Sequence, residues 1–506
     1  MKTTDEIVST LLDRQMGEPY IIDFYPPLQS NRKVVGRFIV FFKGALRRAL
    51  KYLFLPVVNK QNIINKQMAA ELEASKRELE SVKISLADVR RLLSESDSSK
   101  NKRKKITITS TFEIYPPTGG GKVRIFNLYG NLAKKHDIEV VSFTANGNDE
   151  FVGSIAPGFV ESRVPMSDSH LLKQQQKYDK EIGIKTEDIT MYYLSEKTPR
   201  YGELLKKSLD DSEFVILSHP YLYHEVKKHS TGLKLAYEAH NVEYLLKQKF
   251  LPDNEYSREV LKTLFDVEKE CCHKSEFIFT CSDEDKDSLC ELYDVPADKV
   301  IVVPNGVDCS QTAFTDFRKR RENKIKLDLG NETLALFIGS YHEPNIEACE
   351  HIFKIAEKCP DVRFLLMGSQ CFGLAGMVKK MPKNVGLLGL VSEEEKARIY
   401  SVVDFALNPI TSGSGTNLKM FDYMSAGIPI ITTEFGARGI DRRDVFLVSE
   451  IDDMAATIQK YKVYDFSENV LDARNYAENT FDWSVISEVL LQKLESVFSG
   501  EEELNG

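Results

Sequence analysis

The stretch 408–433, NPITSGSGTNLKMFDYMSAGIPIITT, constrains the fold more than any other part of the chain. A short apolar strand over 404–407 runs into a loop rich in Gly, Ser and Thr, and this loop opens a helix. The helix ends at Gly427, before a second apolar strand. A strand, an amide-rich turn and a helix N-terminus concentrate unpaired N–H groups and partial positive charge where an anion can bind. The segment therefore predicts an α/β fold with an anion site at the end of a strand.

Two charged side chains on this helix fit a ligand with phosphates at one end and hydroxyls at the other. Lys419 adds a full positive charge in the first turn, and Asp422, one turn later, is able to accept hydrogen bonds from hydroxyls. A nucleotide-sugar has this layout. Because glycine-rich turns are common between strands and helices, GSGT alone also fits an ordinary turn. The full order of loop, lysine, acid, Gly, Pro and strand occurs in far fewer folds than the glycine-rich turn alone.

This segment resembles the donor site of retaining nucleotide-sugar glycosyltransferases of family 4, which have the GT-B fold of two Rossmann-like domains. The family pattern is a Glu, seven residues and a second Glu before Gly-x-Pro and an apolar strand. Aligned on 426–429, this chain has Ser414 at the first Glu and Asp422 at the second. The resemblance covers residues 106 to about 495. It implies donor binding by Gly120, Gly121, Ser414, Gly415, Thr416, Asn417, Lys419 and Asp422. The arrangement of the first hundred residues resembles, more weakly, the N-terminal region of some bacterial surface-polysaccharide enzymes.

Short apolar strands, among them Phe214–Ser218 and Val385–Leu388, alternate with helical stretches from Ile106 onward, which predicts parallel sheets. The alternation restarts after Pro304-Asn305-Gly306, and Asn-Gly is a strong turn signal. The stretch 151–200 is less regular, and we interpret it as an insertion near the acceptor. We therefore predict a Rossmann-like acceptor domain at 106–305 and a Rossmann-like donor domain, with a final helix, at 306–506.

Polar residues of the first half follow predicted strands, where ligands collect in doubly wound sheets. His240, in AHNVE, resembles the family's cleft histidine, which contacts the transferring sugar or the acceptor; a capping or buried histidine is the alternative. The resemblance implies catalytic roles for His240 and Lys419. Arg124, in the first turn after the glycines, and His219, in FVILSHP, are the predicted acceptor-binding residues. A surface position is the alternative for Arg124.

The acidic run after Cys281 contains a DxD pattern, which sometimes binds a metal. Ser282 followed three residues later by Asp285 instead favours a helix N-cap with an acidic first turn. The resembled transferases do not generally require a metal. We therefore expect no metal and no cofactor, with the nucleotide-sugar as co-substrate.

The first hundred residues have a different character. Residues 36–58 place apolar side chains at helical spacing, and there are eight basic residues and no acid between Arg32 and Lys60. This pattern favours a helix lying on an anionic membrane; a core helix with a solvated basic face is the alternative. Leucines then recur every seven residues at 72, 79, 86 and 93, which predicts a coiled coil over 62–96, or else one amphipathic helix folded on the body. We thus assign 1–61 to a basic amphipathic region and 97–105 to a linker.

Composition excludes several other classes of protein. The net charge of −9 argues against a general nucleic-acid binder. The eight cysteines show no paired CxxC spacing, which indicates reduced thiols of a cytosolic protein. No signal core and no run of about 18 apolar residues is present, so we expect a protein at the inner face of the cell membrane that does not cross it.

The leading hypothesis is therefore transfer of a sugar from a nucleotide-sugar to a glycan or lipid-linked acceptor in polysaccharide synthesis, with retention implied by the resemblance. The expected partners are the donor, the acceptor, an anionic membrane surface, and a second copy or partner enzyme joined through the coiled coil. A catalytically degenerate scaffold is the alternative, favoured by Ser414 at the first acidic position and by the coiled coil. Sugar epimerisation or phosphorolysis is a third hypothesis. The residues do not identify the sugar or the base.

Overall fold

The computed structural model describes residues 3–12, 82–84, 86, 103–230, 232–374, 381–413 and 416–500. Within these ranges the chain forms two sheets of mainly parallel strands flanked by helices, which confirms the predicted α/β fold of two Rossmann-like domains. The basic segment 36–58 lies outside the described residues. So does most of the predicted coiled coil, of which residues 82–84 and 86 are helical. None of the described helices has the length and apolar character needed to cross a membrane.

The first sheet has eight described strands in the order β3-β4-β2-β1-β5-β6-β7-β8. Their bounds are β1 Lys105–Ser110, β2 Asp137–Thr144, β3 Phe151–Ala156, β4 Phe159–Pro165, β5 Phe214–Ser218, β6 Lys234–Ala239, β7 Phe277–Thr280 and β8 Val300–Val302. Neighbouring strands are parallel except β3 and β4, which form an antiparallel hairpin at one edge. Strand β1 pairs with β2 through Ile106 and Ile138, and with β5 through Ile106 and Phe214. The strand order reverses direction between β1 and β5.

The second sheet has six described strands, all parallel, in the order β11-β10-β9-β12-β13-β14. Their bounds are β9 Thr333–Ile338, β10 Val362–Met367, β11 Val385–Gly389, β12 Phe405–Asn408, β13 Ile430–Thr432 and β14 Leu447–Val448. Counted within this domain the order is 3-2-1-4-5-6, that of a dinucleotide-binding Rossmann sheet. The order reverses between β9 and β12, so a crevice for a ligand opens at the carboxyl ends of these two strands.

Helices cover both faces of each sheet. In the first half they are α2 Gly120–Leu132, α3 Asp168–Lys173, α4 Lys180–Ile182, α5 Met191–Leu194, α6 Pro199–Asp210, α7 Tyr223–His229, α8 Glu243–Phe250, α9 Glu255–Lys274 and α10 Asp283–Tyr293, preceded by α1 Thr4–Leu12. In the second half they are α11 Phe317–Lys326, α12 Glu343–Lys358, α13 Gln370–Gly373, α14 Glu393–Tyr400, α15 Leu418–Ser425, α16 Met454–Tyr461, α17 Ser467–Tyr476 and α18 Trp483–Ser499.

Apolar side chains fill the space between helices and sheet on both faces of each domain. Strand β5 is buried at every position, as is β12, because parallel strands covered on both sides have no solvent face. This burial explains why the sequence shows these strands as continuous apolar runs. It also holds the carboxyl ends of the strands in fixed positions, which is where the site lies.

The two ends of the described chain pack on the domains that are distant from them in sequence. Helix α18 packs on α2 of the first domain. Helix α1 packs on β11 and α14 of the second domain, with Ile7 and Leu11 fully buried in its core. The Thr4 hydroxyl donates to the Lys383 carbonyl at 2.7 Å. The first residues of the predicted amphipathic region therefore belong structurally to the second domain.

Candidate active site

Two helix N-termini face each other across the gap between the domains. Helix α2 begins at Gly120 after the first strand of the first domain, and α15 begins at Leu418 after β12 of the second. They lie so close that a Cβ added to Gly120 would stand 3.3 Å from Leu418 Cδ1. Unpaired N–H groups and the positive ends of both helix dipoles thus point into one cleft, and this favours an anionic ligand.

The donor loop before α15 is held by contacts with the segment after β13. The Asn417 side chain donates to the Gly436 carbonyl at 2.9 Å. A Cβ on Gly439 would stand 2.5 Å from Thr416 Oγ1, so glycine is required where the two segments meet. Thr416 and Asn417 therefore lie where the sequence placed them, at the start of the donor helix. Ser414 and Gly415 lie outside the described residues.

Lys419 lies at the reversal point of the second sheet. Its Nζ donates to Asn345 Oδ1 at 2.7 Å and lies 4.3 Å from the centre of the Phe337 ring, at the end of β9. Burial lowers the pKa of Lys419 to about 7; the Cys349 thiol opposes this shift, and Arg438 adds to it. The electrostatic attraction between a phosphate and a cation that is already desolvated is stronger than that between a phosphate and an exposed lysine.

Arg438 supplies a second cation beside the donor loop. Its Nη1 donates to the Phe435 carbonyl at 2.9 Å, and its guanidinium lies 4.2 Å from the centre of the Phe435 ring. Burial lowers the pKa of Arg438, and Glu284 of the first domain opposes this. In the sequence Arg438 is only part of the run 434–439 that follows β13. Its proximity to Lys419 and to an acid of the other domain depends on the tertiary fold.

Asp422 lies one turn beyond Lys419 and pairs with a residue that sequence reasoning missed. Its Oδ1 is 3.6 Å from Lys396 Nζ on α14. Burial raises the pKa of Asp422, and Lys396 opposes the shift. The carboxylate thus already has a cationic neighbour, and its predicted role as a hydroxyl acceptor stays a prediction. No local sequence signal connects 396 with 422, because the two helices are separated by β12.

The segment that leads into the glycine loop of the first domain is held by one buried acid. The backbone N–H groups of Ile114 and Tyr115 donate to the Glu161 carboxylate at 2.6 and 3.2 Å. A Cβ on Gly121 would stand 3.1 Å from Phe112 Cζ, so a larger residue in this first turn of α2 would have to displace the Phe112 ring by a few tenths of an ångström. Gly120 and Gly121 therefore form a tight, pre-arranged rim of the cleft. Sequence reasoning missed Glu161 because it lies on β4, a strand that it did not predict.

The two predicted histidines lie side by side at the carboxyl ends of β5 and β6. The rings of His219 and His240 are 4.2 Å apart, and His240 Nε2 lies 3.1 Å from Ser218 Oγ. His219 has a φ of 75°, a backbone conformation that is strained for a non-glycine residue. Burial and the neighbouring His240 lower the pKa of His219 to about 4, which keeps its ring neutral at physiological pH. The first domain thus presents a pair of imidazoles opposite the donor helix.

Arg124 does not face the cleft. Its side chain is 1% exposed, and its Nε donates to Glu238 Oε1 at 2.8 Å. Its Nη1 donates to the Pro304 carbonyl and to Asn305 Oδ1, at 3.1 and 3.2 Å, in the segment that joins the domains. The predicted contact of Arg124 with an acceptor is not supported by this position. The residue instead ties α2 to β6 and to the domain junction.

The acidic run after β7 is a helix start. The Ser282 side chain accepts a hydrogen bond from the backbone N–H of Asp285, at the N-cap of α10. This confirms the capping interpretation of the DxD-like pattern. Among the described residues, no group of three His, Cys, Asp or Glu side chains is arranged to hold a metal ion.

Two Rossmann-like domains that face one cleft have the architecture of the GT-B fold. Residues 118–311 match the family model described as Glycosyltransferase Family 4, and residues 332–461 match that of Glycosyl transferases group 1. Together the two matches cover more than half of the chain. The chain belongs to glycosyltransferase family 4.

Similar proteins agree with this assignment. The phosphatidyl-myo-inositol mannosyltransferase of Mycobacterium tuberculosis H37Rv is 24% identical over 214 residues, which are 39% of this chain and 54% of that protein. The chain thus spans about half the length of the curated relatives it matches. The sucrose-phosphate synthase structure from Thermosynechococcus elongatus has a TM-score of 0.61 at 15% identity, covering 79% of this chain and all of the other. Anabaena HepE in complex with UDP has a TM-score of 0.56 at 13% identity, covering 78% of this chain and all of the other. These two structures share the fold.

Proposed function

We propose that the chain transfers a sugar from a nucleotide-sugar to a glycan or lipid-linked acceptor, with retention of the anomeric configuration. The observation that carries this proposal is the meeting of Lys419 and the N-terminus of α15 with His240 and the N-terminus of α2 at one cleft. Sugar transfer develops negative charge on the departing diphosphate. Pre-oriented N–H groups and a desolvated cation stabilise that charge without reorganising during the reaction.

Each group has a role that follows from its place. Lys419 and Arg438, on the donor side, bind the diphosphate. His240, on the opposite wall, contacts a hydroxyl of the transferring sugar or of the acceptor, and the neutral His219 ring packs beside it. No side chain is assigned as nucleophile or general base, because the departing phosphate itself is able to take the proton of the acceptor hydroxyl. This scheme uses no metal.

The similar proteins support the choice of substrates. One named relative is a phosphatidyl-myo-inositol mannosyltransferase, and several structures of similar fold contain UDP or UDP-glucose. A lipid acceptor is confined to a membrane surface, so an enzyme tethered there gains through effective concentration. We propose that the basic segment 36–58 provides this tether on the inner face of the cell membrane, and that the segment 62–96 joins protomers or a partner enzyme.

A panel of nucleotide-sugars tests the transfer. The purified full chain is incubated with UDP-, GDP- and other nucleotide-sugars, and released nucleotide is measured. Slow hydrolysis of one donor is expected even without an acceptor, and Lys419→Met should suppress it. The matched control is Lys354→Met, since Lys354 is an exposed lysine on α12. Absence of both binding and release for every donor refutes the proposal.

Vesicle binding tests the tether. Each basic residue near an anionic surface contributes roughly 1 kcal/mol, so the full chain should co-sediment with phosphatidylserine-containing vesicles and less so at high salt. Deleting residues 36–58, while keeping the helix at 4–12, should abolish co-sedimentation and spare donor hydrolysis. A full chain that does not bind such vesicles contradicts the tether but leaves the transfer proposal intact.

One observation favours a second function. Ser414 stands where the family commonly has a glutamate, so this chain lacks a carboxylate that usually contacts the sugar. A degenerate scaffold would bind the nucleotide-sugar without releasing nucleotide or altering the sugar. The same panel, read by calorimetry as well as by nucleotide release, separates the two functions.

A further inference from the structure

Glu238 is a fully buried acid directly behind His240. It lies on β6, two residues before His240, which directly follows the last residue of that strand. Its Oε1 accepts a hydrogen bond from Arg124 Nε at 2.8 Å and lies 3.4 Å from His240 Nε2. Its Oε2 accepts a hydrogen bond from the Tyr129 hydroxyl. The proposed reaction uses His240 but assigns no role to Glu238, Arg124 or Tyr129.

The surroundings of Glu238 keep it ionised. Burial alone raises the pKa of this carboxyl, but His240, Arg124 and Tyr129 together hold it well below its usual range. An ionised carboxylate has only acceptor positions, and Arg124 and Tyr129 already donate to it. The remaining neighbour of this carboxylate, His240 Nε2, is therefore stabilised there only as a hydrogen-bond donor or as part of a cation.

We propose that Glu238 is a positioning residue that fixes the neutral ring of His240 in the tautomer with its proton on Nε2, so that Nδ1 faces the cleft as a hydrogen-bond acceptor. That Nδ1 accepts a hydrogen bond from a substrate hydroxyl depends on the proposed function. The tautomer itself does not. Histidines whose second nitrogen has a catalytic or ligating task are commonly oriented in this way by an acid.

The contacts of the two ring nitrogens differ in the way that this proposal requires. Nε2 faces the Glu238 carboxylate and the Ser218 hydroxyl, at 3.4 and 3.1 Å. A lone pair on Nε2 would face the negative charge of the carboxylate, whereas an N–H there is stabilised by it and by the hydroxyl oxygen. Nδ1 points the other way, and lies 3.8 Å from where a Cβ on Gly121 would stand. Gly121 is in the first turn of α2, at the cleft.

The test compares the ring nitrogens of His240 in three proteins. Nitrogen NMR spectra of histidine-labelled full chain are recorded as the pH is raised until the ring is neutral, and His240 is assigned by its loss in His240→Ala. The double variant Glu238→Gln, Arg124→Met removes both buried charges together, because a variant that leaves one charge unpaired is the more prone to unfold. The control is Glu225→Gln, another buried acid of the first domain, which contacts His224 and His229.

The proposal expects the Nε2–H tautomer in the wild type and in the Glu225→Gln control, and the Nδ1–H tautomer or a mixture in the double variant. With the nucleotide-sugar that the panel identifies, kcat of the double variant should fall by about tenfold or more with nearly unchanged nucleotide affinity. The reason is that Nδ1 then carries a proton at the position where a lone pair is needed to accept the hydrogen bond of the substrate hydroxyl. A wild-type ring protonated on Nδ1 overturns the proposal, and so does a double variant with an unchanged tautomer. If no donor is turned over, the proposed function fails while the spectra still decide the tautomer.

Discussion

Donor binding should weaken as the pH rises through neutrality, because Lys419 loses its proton there. Burial lowers the pKa of Lys419 to about 7, and the bound diphosphate requires the charged form. A nucleotide-sugar keeps both phosphate charges over this range, since neither phosphate has a second ionisation. The change in affinity with pH therefore reports the lysine rather than the ligand.

The magnitude follows from linkage. If only the ammonium form binds, the apparent Kd scales with one plus the ratio of neutral to charged lysine, and it rises roughly tenfold between pH 6 and pH 8. Binding then takes up nearly one proton at pH 8 and almost none at pH 6. At pH 6 Lys419→Met should cost about 1–3 kcal/mol, the range for a hydrogen bond to a charged group.

Isothermal titration of the identified donor, in two buffers of different ionisation enthalpy at each pH, measures both affinity and proton uptake. Lys419→Met should remove the pH dependence together with the proton uptake. Lys354→Met, which changes an exposed lysine, should keep both. Wild-type affinity that is equal at pH 6 and pH 8, or a Lys419→Met variant with unchanged Kd, refutes the assignment of Lys419 to the diphosphate.

Three further predictions concern stability. Leu11→Ala should lower the free energy of unfolding by about 2–5 kcal/mol in denaturant titrations, because the side chain is fully buried against the second domain, whereas the exposed Asp5→Ala should change it by less than about 0.5 kcal/mol. Burial, with Glu243 nearby, raises the pKa of Glu268 to about 7 in the folded protein, against about 4.3 in the unfolded chain. Glu268 should therefore lower the free energy of unfolding as the pH rises from about 4.3 to 7, and Glu268→Gln should flatten this part of a plot of Tm against pH. A Cβ on Gly368 would stand 2.1 Å from the Gly339 carbonyl oxygen, so Gly368→Ala should lower the stability of the fold far more than Gly147→Ala. A Cβ on Gly147 has no atom within 4 Å, so Gly147→Ala should cost only the roughly 1–2 kcal/mol of a left-handed backbone conformation. Equal Tm losses in these two glycine variants would contradict the steric argument.

The sequence predicted most of the parallel strands because burial on both faces leaves a continuous apolar run. The predicted strand 214–218 agrees with β5 residue for residue, and 385–388 differs from β11 by one residue. The hairpin of β3 and β4 was not predicted, since β3 lies at a sheet edge and is mostly part-exposed, with Gly153 and Ser154 in its middle. Edge strands carry a weaker pattern because only one neighbour and one face constrain them.

Site residues that follow a strand directly were predictable, and their partners were not. The positions of His219, His240 and Lys419 follow from strand ends and one helix start. The pairs Asp422 with Lys396 and Arg124 with Glu238 join helices and strands that are far apart in sequence, and no local pattern specifies such a pairing. This is why sequence reasoning placed Arg124 correctly on its helix and still assigned it to the wrong environment.

The domain junction explains why position 124 requires an arginine. Over the described residues from 103 to 500 the chain crosses between the domains twice, and these two crossings pair with each other: Val307 N donates to the Phe481 carbonyl at 2.8 Å, and Trp483 N donates to the Val307 carbonyl at 3.1 Å. A shift of the second domain at only one of these crossings would break these two hydrogen bonds. Arg124 binds the carbonyl of Pro304 and the side chain of Asn305 beside this pair while its Nε holds Glu238. A lysine has a single nitrogen without the planar fork, so it does not match acceptors placed on two sides of a guanidinium. The orientation of Glu238, and with it that of His240, thus depends on a side chain that is also bonded to the junction between the domains.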